Sequence, residues 1–465
     1  KKCLLAWGAS CALHLPTMVA FVPAHCGEVT VDTGARHCKS AQSAASLQPA
    51  CYVDYVQEVM SAAGWPWPKH VLCDPKKQPR FVSSVEELMH EIQVGCHMDE
   101  ILVFPGGVQA LGLQESMDPG IVSAIGLNGA TGEQAEAHTA YDVLDRLSAM
   151  GMLDNLKGKV TYRKQLESRD SVSAGGSSNA CLQPKWESLR KECPLETRES
   201  VYLAEVRRLH SQQVLEGGLN KTRKSTLATT MRERMHQLGM DVHAMLYWDD
   251  YSEGLFCGAG CSGYDLHADC IPTSNVGSIF SGHKLLAIWS YPDQTTEVLK
   301  KHGRDQFVKP LTAEQERSLE GACCAALAPP GSVYVFSGIN AHAVCNIGFG
   351  SPSEFGVAPR PSLVVSSYEA FAGLHARHAQ ALVDFCHRGG CLGDESDSDS
   401  DLENFEDEVA QMAWKIEQRL HRGEALPEDA VRATLDTLRA NGMQVCSNRS
   451  EREQHSSSRC KRRRR

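Results

Sequence analysis

The apolar positions of this chain keep two rhythms, and the change comes near residue 240. Upstream, helical spacing dominates. In SSVEELMHEIQV (83–94), Ser83 or Ser84 can cap a helix whose first turn carries Glu86 and Glu87. A second helix is predicted around 140–150, and 199–240 is helical in character, with basic and polar faces. EILVF (100–104) reads instead as a short buried strand stopped by Pro105-Gly106-Gly107, and SVSAGGSSNA (171–180) as a flexible loop. Downstream, short apolar runs are separated by Gly, Pro and Asp: MLYW (245–248), YDLHADC (264–270), HKLLAIWSY (283–291), GSVYVFSG (331–338), AHAVCNI (341–347) and SLVVSSY (362–368). Strands at this density predict a sandwich or barrel rather than a parallel sheet. One helix interrupts them, with Thr312 and Gln315 forming a capping-box pattern ahead of residues 313–327.

The C-terminal region returns to helical spacing. Leu402, Phe405, Val409, Met412, Ile416 and Leu420 form one apolar stripe, which packs on its own domain or serves as a homodimer interface. A second helix, about 427–440, starts at Pro427 and ends before Asn441-Gly442. These elements predict an α+β chain. A β-rich core over 241–375 is flanked by a Cys/Ala-rich segment (1–80), a mixed helical region (81–240) and a C-terminal helical pair (402–442).

Composition then narrows the function classes. With 42% hydrophobic residues among 465, the chain can bury a sizeable core. The balance of 47 basic against 57 acidic residues argues against a general nucleic-acid binder. The charge is unevenly spread: nine acids and no base occupy the linker 394–408, and eight Lys/Arg against two Glu occupy the tail 448–465. Any nucleic-acid contact would therefore run through that basic tail, which also reads as a nuclear import signal. The 19 cysteines include no C-x-x-C pair and suit reduced thiols in the nucleus or cytoplasm. Residues 3–22 lack formal charge and read either as part of a targeting peptide (within 1–25) or as a buried segment. Gly8, Ser10, His14 and Pro16 dilute that stretch too far for a membrane span.

The chemistry centres on His267-Ala268-Asp269. Two H-x-D triplets occur, the other being His97-Met98-Asp99, and the spacing alone has no specificity. Strand alternation puts Asp265, His267 and Asp269 on one face, and Tyr264, Leu266, Ala268 and Cys270 on the other. His342 can join them from another strand. Two His and one carboxylate on one facet of an octahedral metal leave three positions open, as in non-haem Fe(II) oxygenases. Lys284 sits 17 residues after His267 and leads a strongly apolar strand. A lysine entering a barrel interior is costly unless an anion meets it. Seventeen residues after His97 stands Gln114, so that triplet lacks the counterpart.

HADCIPTSNVGSIFSGHK (267–284), followed by PPGSVYVFSGINAHAVCN (329–346), resembles the JmjC (jumonji C) branch of the cupin superfamily. The resemblance covers about 245–370 and rests on H-x-D, G-H-K, the Pro-Gly turn before the distal His, and Asn four residues after it. It implies a double-stranded β-helix (jelly roll) with Fe(II), 2-oxoglutarate and O2. His267, Asp269 and His342 would bind the iron, Lys284 the distal carboxylate of 2-oxoglutarate, and Tyr264 and Asn346 would add co-substrate or outer hydrogen bonds. The implied activity is a dioxygenase, preferably a protein hydroxylase with a protein substrate. No zinc-ligand cluster or aromatic-cage pattern points to a chromatin reader, although a lysine demethylase and an inactive cupin scaffold remain alternatives. The aromatics usual after the lysine and before the distal His are replaced by Leu285-Leu286 and Asn340-Ala341, departures that bear on substrate class.

Overall fold

Helices begin where side chains satisfy the first free amides. Ser84 accepts from the Glu87 amide and opens Val85–Gln93. Thr139 with Asp142, and Thr312 with Gln315, form reciprocal capping boxes before Ala140–Ala149 and Ala313–Glu320. The computed structural model describes residues 49–63, most of 69–208, 245–247, most of 254–302, 311–348, 363–373 and parts of 379–443. The N-terminal 1–25 stretch, the acidic run 394–408 and the basic tail lie outside the described residues.

The strands preceding the expected core are β1 (Arg80–Phe81), β2 (Leu102–Phe104), β3 (Leu156–Arg163), β4 (Ser171–Ser173), β5 (Tyr202–Arg208) and β6 (Met245–Tyr247). Next come β7 (Gly254–Gly258), β8 (Gly263–His267), β9 (Ser274–Ser281) and β10 (His283–Trp289). The last four are β11 (Cys324–Ala328), β12 (Val333–Ser337), β13 (Ala341–Ile347) and β14 (Val364–Gly373). They form two sheets. The larger runs β1-β2-β12-β9-β14-β7-β5-β3-β4, with β6 paired to β14; the smaller runs β11-β10-β13-β8. Among the described residues, only β1 and β2 pair in parallel. From β7 onward the chain shuttles between sheets, placing β7, β9, β12 and β14 in the larger and β8, β10, β11 and β13 in the smaller.

Three apolar layers follow from this arrangement. Between the sheets lie Ile279, Leu286, Ile288, Tyr334 and Phe336. Behind the larger sheet, Leu156, Val160 and Leu203 pack on helical residues such as Leu144 and Trp186. Behind the smaller sheet, the helix Pro49–Ala62 lays Tyr52 and Val56 on Leu285, Ala287 and Ala343, and the Tyr52 hydroxyl accepts the Leu327 amide at 2.7 Å.

Three sequence expectations are corrected. The helix expected over 313–327 ends at Glu320, closed by Gly321, and Cys324–Ala328 is instead a fully buried strand. Within 199–240, residues 202–208 form β5 rather than helix, because β3 and β7 hydrogen-bond to both its edges; residues 209–244 lie outside the described ones. Part of the supposed loop at 171–180 is β4, paired along β3. The helix Glu428–Ala440 matches expectation and buries Val431, Leu435 and Leu438. Of the apolar stripe before it, Ile416 is buried and Leu420 half-buried, while Leu402, Phe405, Val409 and Met412 lie outside the described residues. Among the described residues, no helix is long and apolar enough to cross a membrane.

Candidate metal centre

Antiparallel pairing sets His267 of β8 directly opposite His342 of β13, with ring centroids 4.2 Å apart. Asp269 follows two residues after His267, and its amide donates to the Gly338 carbonyl at 2.9 Å. Its Oδ1 lies 3.6 Å from His267 Nε2 and 3.7 Å from His342 Nε2. One ligand atom from each of the three residues lies within 4.8 Å of the others, a geometry that could hold a metal ion.

Neighbouring groups prepare two of the three donors. His342 Nδ1 is 2.9 Å from the Asn340 carbonyl, which can only accept, so the neutral ring carries its proton on Nδ1 and presents the Nε2 lone pair. Burial pushes the His342 pKa down to about 4, so the ring is neutral at physiological pH. Asn275, arriving on β9 from the other sheet, donates Nδ2 to Asp269 Oδ2 at 2.9 Å and leaves Oδ1 facing the imidazoles. Burial pushes the Asp269 carboxyl up to about 6, with His267 and Asn275 pulling the other way. A cation between these groups would favour the carboxylate again.

Lys284 occupies the other end of the interior. β13 pairs Ile288 with His342 and Lys284 with Asn346, so four residues, about 13 Å at roughly 3.3 Å each, separate the lysine from the histidine along the strands. Lys284 is 4% exposed. Its Nζ donates to Ser366 Oγ at 2.5 Å and stands 5.6 Å from the centre of the Phe256 ring. Among the described residues no carboxylate neutralises it, and burial pushes its pKa down to about 7 against a pull from the Cys257 and Cys345 thiols. A buried ammonium without a counter-charge is costly unless an anion meets it. Asn346 donates Nδ2 to Ser262 Oγ at 3.1 Å, and its buried Oδ1 has no donor.

Tyr264 corrects the simple alternation. His267 pairs with His342 but Tyr264 pairs with Val344, so β8 carries one extra residue between them. This bulge turns Tyr264 to the same side as His267, with ring centroids 4.7 Å apart, while Leu266 packs in the outer layer. The Tyr264 hydroxyl accepts from Lys159 Nζ at 3.2 Å. All six predicted site residues therefore belong to the β8–β10–β13 region. Motif spacing does not point to Asn275, Ser366 or Lys159. The one local signal is a polar residue inside a fully buried strand, as Asn275 is in β9.

No protein-family model and no curated protein matches the chain. Among solved structures, the chain is similar to the Escherichia coli ribosomal oxygenase YcfD, at 10% sequence identity and a TM-score of 0.26. That likeness covers 58% of this chain and 61% of that protein's length.

Proposed function

We propose that this chain is an Fe(II)- and 2-oxoglutarate-dependent dioxygenase of JmjC type, built on a double-stranded β-helix and acting as a hydroxylase on a protein substrate. The fold reading is supported by the shuttling of successive strands between the two sheets. The function rests on one observation above all: one interior holds two His and a carboxylate at one end and a buried, acid-free lysine at the other. A metal site that needed no dicarboxylate would have no use for that ammonium.

When bound, Fe(II) with 2-oxoglutarate and O2 supplies substrate oxidation coupled to decarboxylation of the co-substrate to succinate. The chain's own groups bind and orient. His267 and His342 offer Nε2 donors, and Asp269 offers Oδ1 because Asn275 holds its other oxygen. Lys284, steadied by Ser366, takes the distal carboxylate, and the aliphatic and aromatic layer around Leu286, Ile288 and Phe336 keeps water out.

Anaerobic addition of Fe(II) and 2-oxoglutarate to the purified protein tests this without knowledge of the substrate. The expected result is a visible charge-transfer band that disappears in His267→Ala and weakens in Lys284→Ala. Iron binding without a band would remove 2-oxoglutarate from the reading. Absence of both would make the chain a cupin scaffold.

A further inference from the structure

The wall beside the candidate centre contains a backbone conformation that suits glycine, yet the residue there is Glu205. β5 passes between β3 and β7 with one residue too many: Lys157 and Lys159 face Arg207 and Ala204, while Leu255 and Cys257 face Val206 and Leu203. The surplus falls at Glu205, whose φ of 57° is the one left-handed non-glycine value among the described residues. Bulges with a left-handed position ordinarily put glycine there. A larger residue persists in such a conformation when its surroundings hold it, and such positions cluster at functional sites. The bulge also changes the facing of the strand. Tyr202 and Ala204 join Phe256 on the interior side, whereas Leu203 and Val206 join the helical layer.

The Glu205 side chain is held. Its Oε1 lies 2.5 Å from Lys159 Nζ, and the side chain is 11% exposed. The same ammonium donates to the Tyr264 hydroxyl at 3.2 Å and stands 5.8 Å from the centre of that ring. The Tyr264 ring packs against His267. On the neighbouring residue of β3, buried Lys185 donates to the Gly158 carbonyl and fixes the backbone from which Lys159 projects. A line of direct contacts thus runs from the left-handed carboxylate to a proposed metal ligand.

We infer that Glu205 and Lys159 are positioning residues of the centre: the bulge aims Glu205 at Lys159, Lys159 clamps the Tyr264 hydroxyl, and the clamped ring sets the orientation of His267. The inference rests on the proposed function for what His267 ligates, but the clamp itself can be read in metal-free protein. The full chain, with isotope-labelled histidine, is followed by the His267 ring resonance, identified through its loss in His267→Ala. Co(II) affinity is measured alongside by calorimetry. Glu205→Gly gives the left-handed position its natural occupant and deletes the carboxylate. Lys159→Met deletes the ammonium and Lys159→Arg keeps a cation.

Glu205→Gly relieves the left-handed backbone but leaves Lys159 without its carboxylate, so it should stay folded and melt within a few degrees of wild type. It and Lys159→Met should nevertheless shift the His267 resonance and weaken Co(II) binding about tenfold, the scale of outer contacts to metal ligands. Lys159→Arg should keep both near wild-type values. An unmoved resonance with unchanged Co(II) affinity in both deletions overturns the inference, and should Glu205→Gly unfold, the two Lys159 variants decide it. Wild-type protein that binds no Co(II) overturns the proposed function instead, and the resonance then decides the clamp alone.

Discussion

Two triplets in this chain share the letters H-x-D and meet different fates. His97-Met98-Asp99 starts in a 3-10 turn, Cys96–Met98, where each residue advances by a third of a turn and positions two apart diverge. His97 is buried and spends Nε2 on the Ser274 hydroxyl at 3.0 Å, while Asp99 accepts from Ser290. His267-Ala268-Asp269 leaves the end of a strand, where positions two apart share a face, and the adjacent strand brings His342 opposite. Ligand spacing becomes chemistry only when the backbone period matches it and a third donor arrives from elsewhere in the fold.

The sharpest way to break that comparison is His342→Ala. Loss of one donor should weaken Co(II) or Fe(II) binding by at least roughly a hundredfold in calorimetry, since a ligand matters more than its supports. The same assay on His97→Ala should give the wild-type constant; equal losses would erase the distinction between the triplets.

Lys284 sharpens it next, because only the second triplet has such a lysine downstream. An unfolded lysine keeps its proton to about pH 10.4, whereas the buried one releases it from about 7. Between those values the unfolded chain holds more protons, so the ligand-free protein should gain stability as pH rises through that window, on the order of 5 kcal/mol across it. Lys284→Met should abolish the slope, raise the melting temperature at pH 7 by several degrees and lose 2-oxoglutarate binding. Urea midpoints in that window measure this directly, and a flat wild-type profile would contradict the buried ammonium.

Smaller effects follow. Asn275→Ala frees Asp269 Oδ2 and should cost about tenfold in metal affinity while the fold persists. His97→Ala should cost only stability, about 1–2 kcal/mol for a lost buried hydrogen bond, in the same urea titration.

Much of the centre was legible in the sequence because its parts are local: H-x-D sits at the end of one strand, and Lys284 and His342 lie on strands whose apolar runs are plain. What escaped reading is what depends on register or on distant pairing. The bulge in β8 moves Tyr264 to the face of His267, against strict alternation, and no letter in YDLH announces it. The segment that forms β5 reads as helical in sequence because its extra residue at Glu205 breaks the period of two. The 313–327 region kept its predicted start, where the cap is local, and lost its predicted end, where Cys324–Ala328 pairs with β10. Asn275 and Ser366 act across the two sheets, and such contacts follow from folding rather than from spacing.

Among the described residues β8 is the terminal strand of the smaller sheet, yet it carries His267 and leads directly into Asp269. Edge strands fray more readily than interior ones, so the residence time of a bound ion should be set by a backbone event rather than by the strength of any single coordinate bond. An ion spanning His267 and His342 would act as a rivet between that edge and its neighbour. Amide exchange at Leu266 and His267 should therefore slow on loading, and ion release should keep pace with the opening of this one strand.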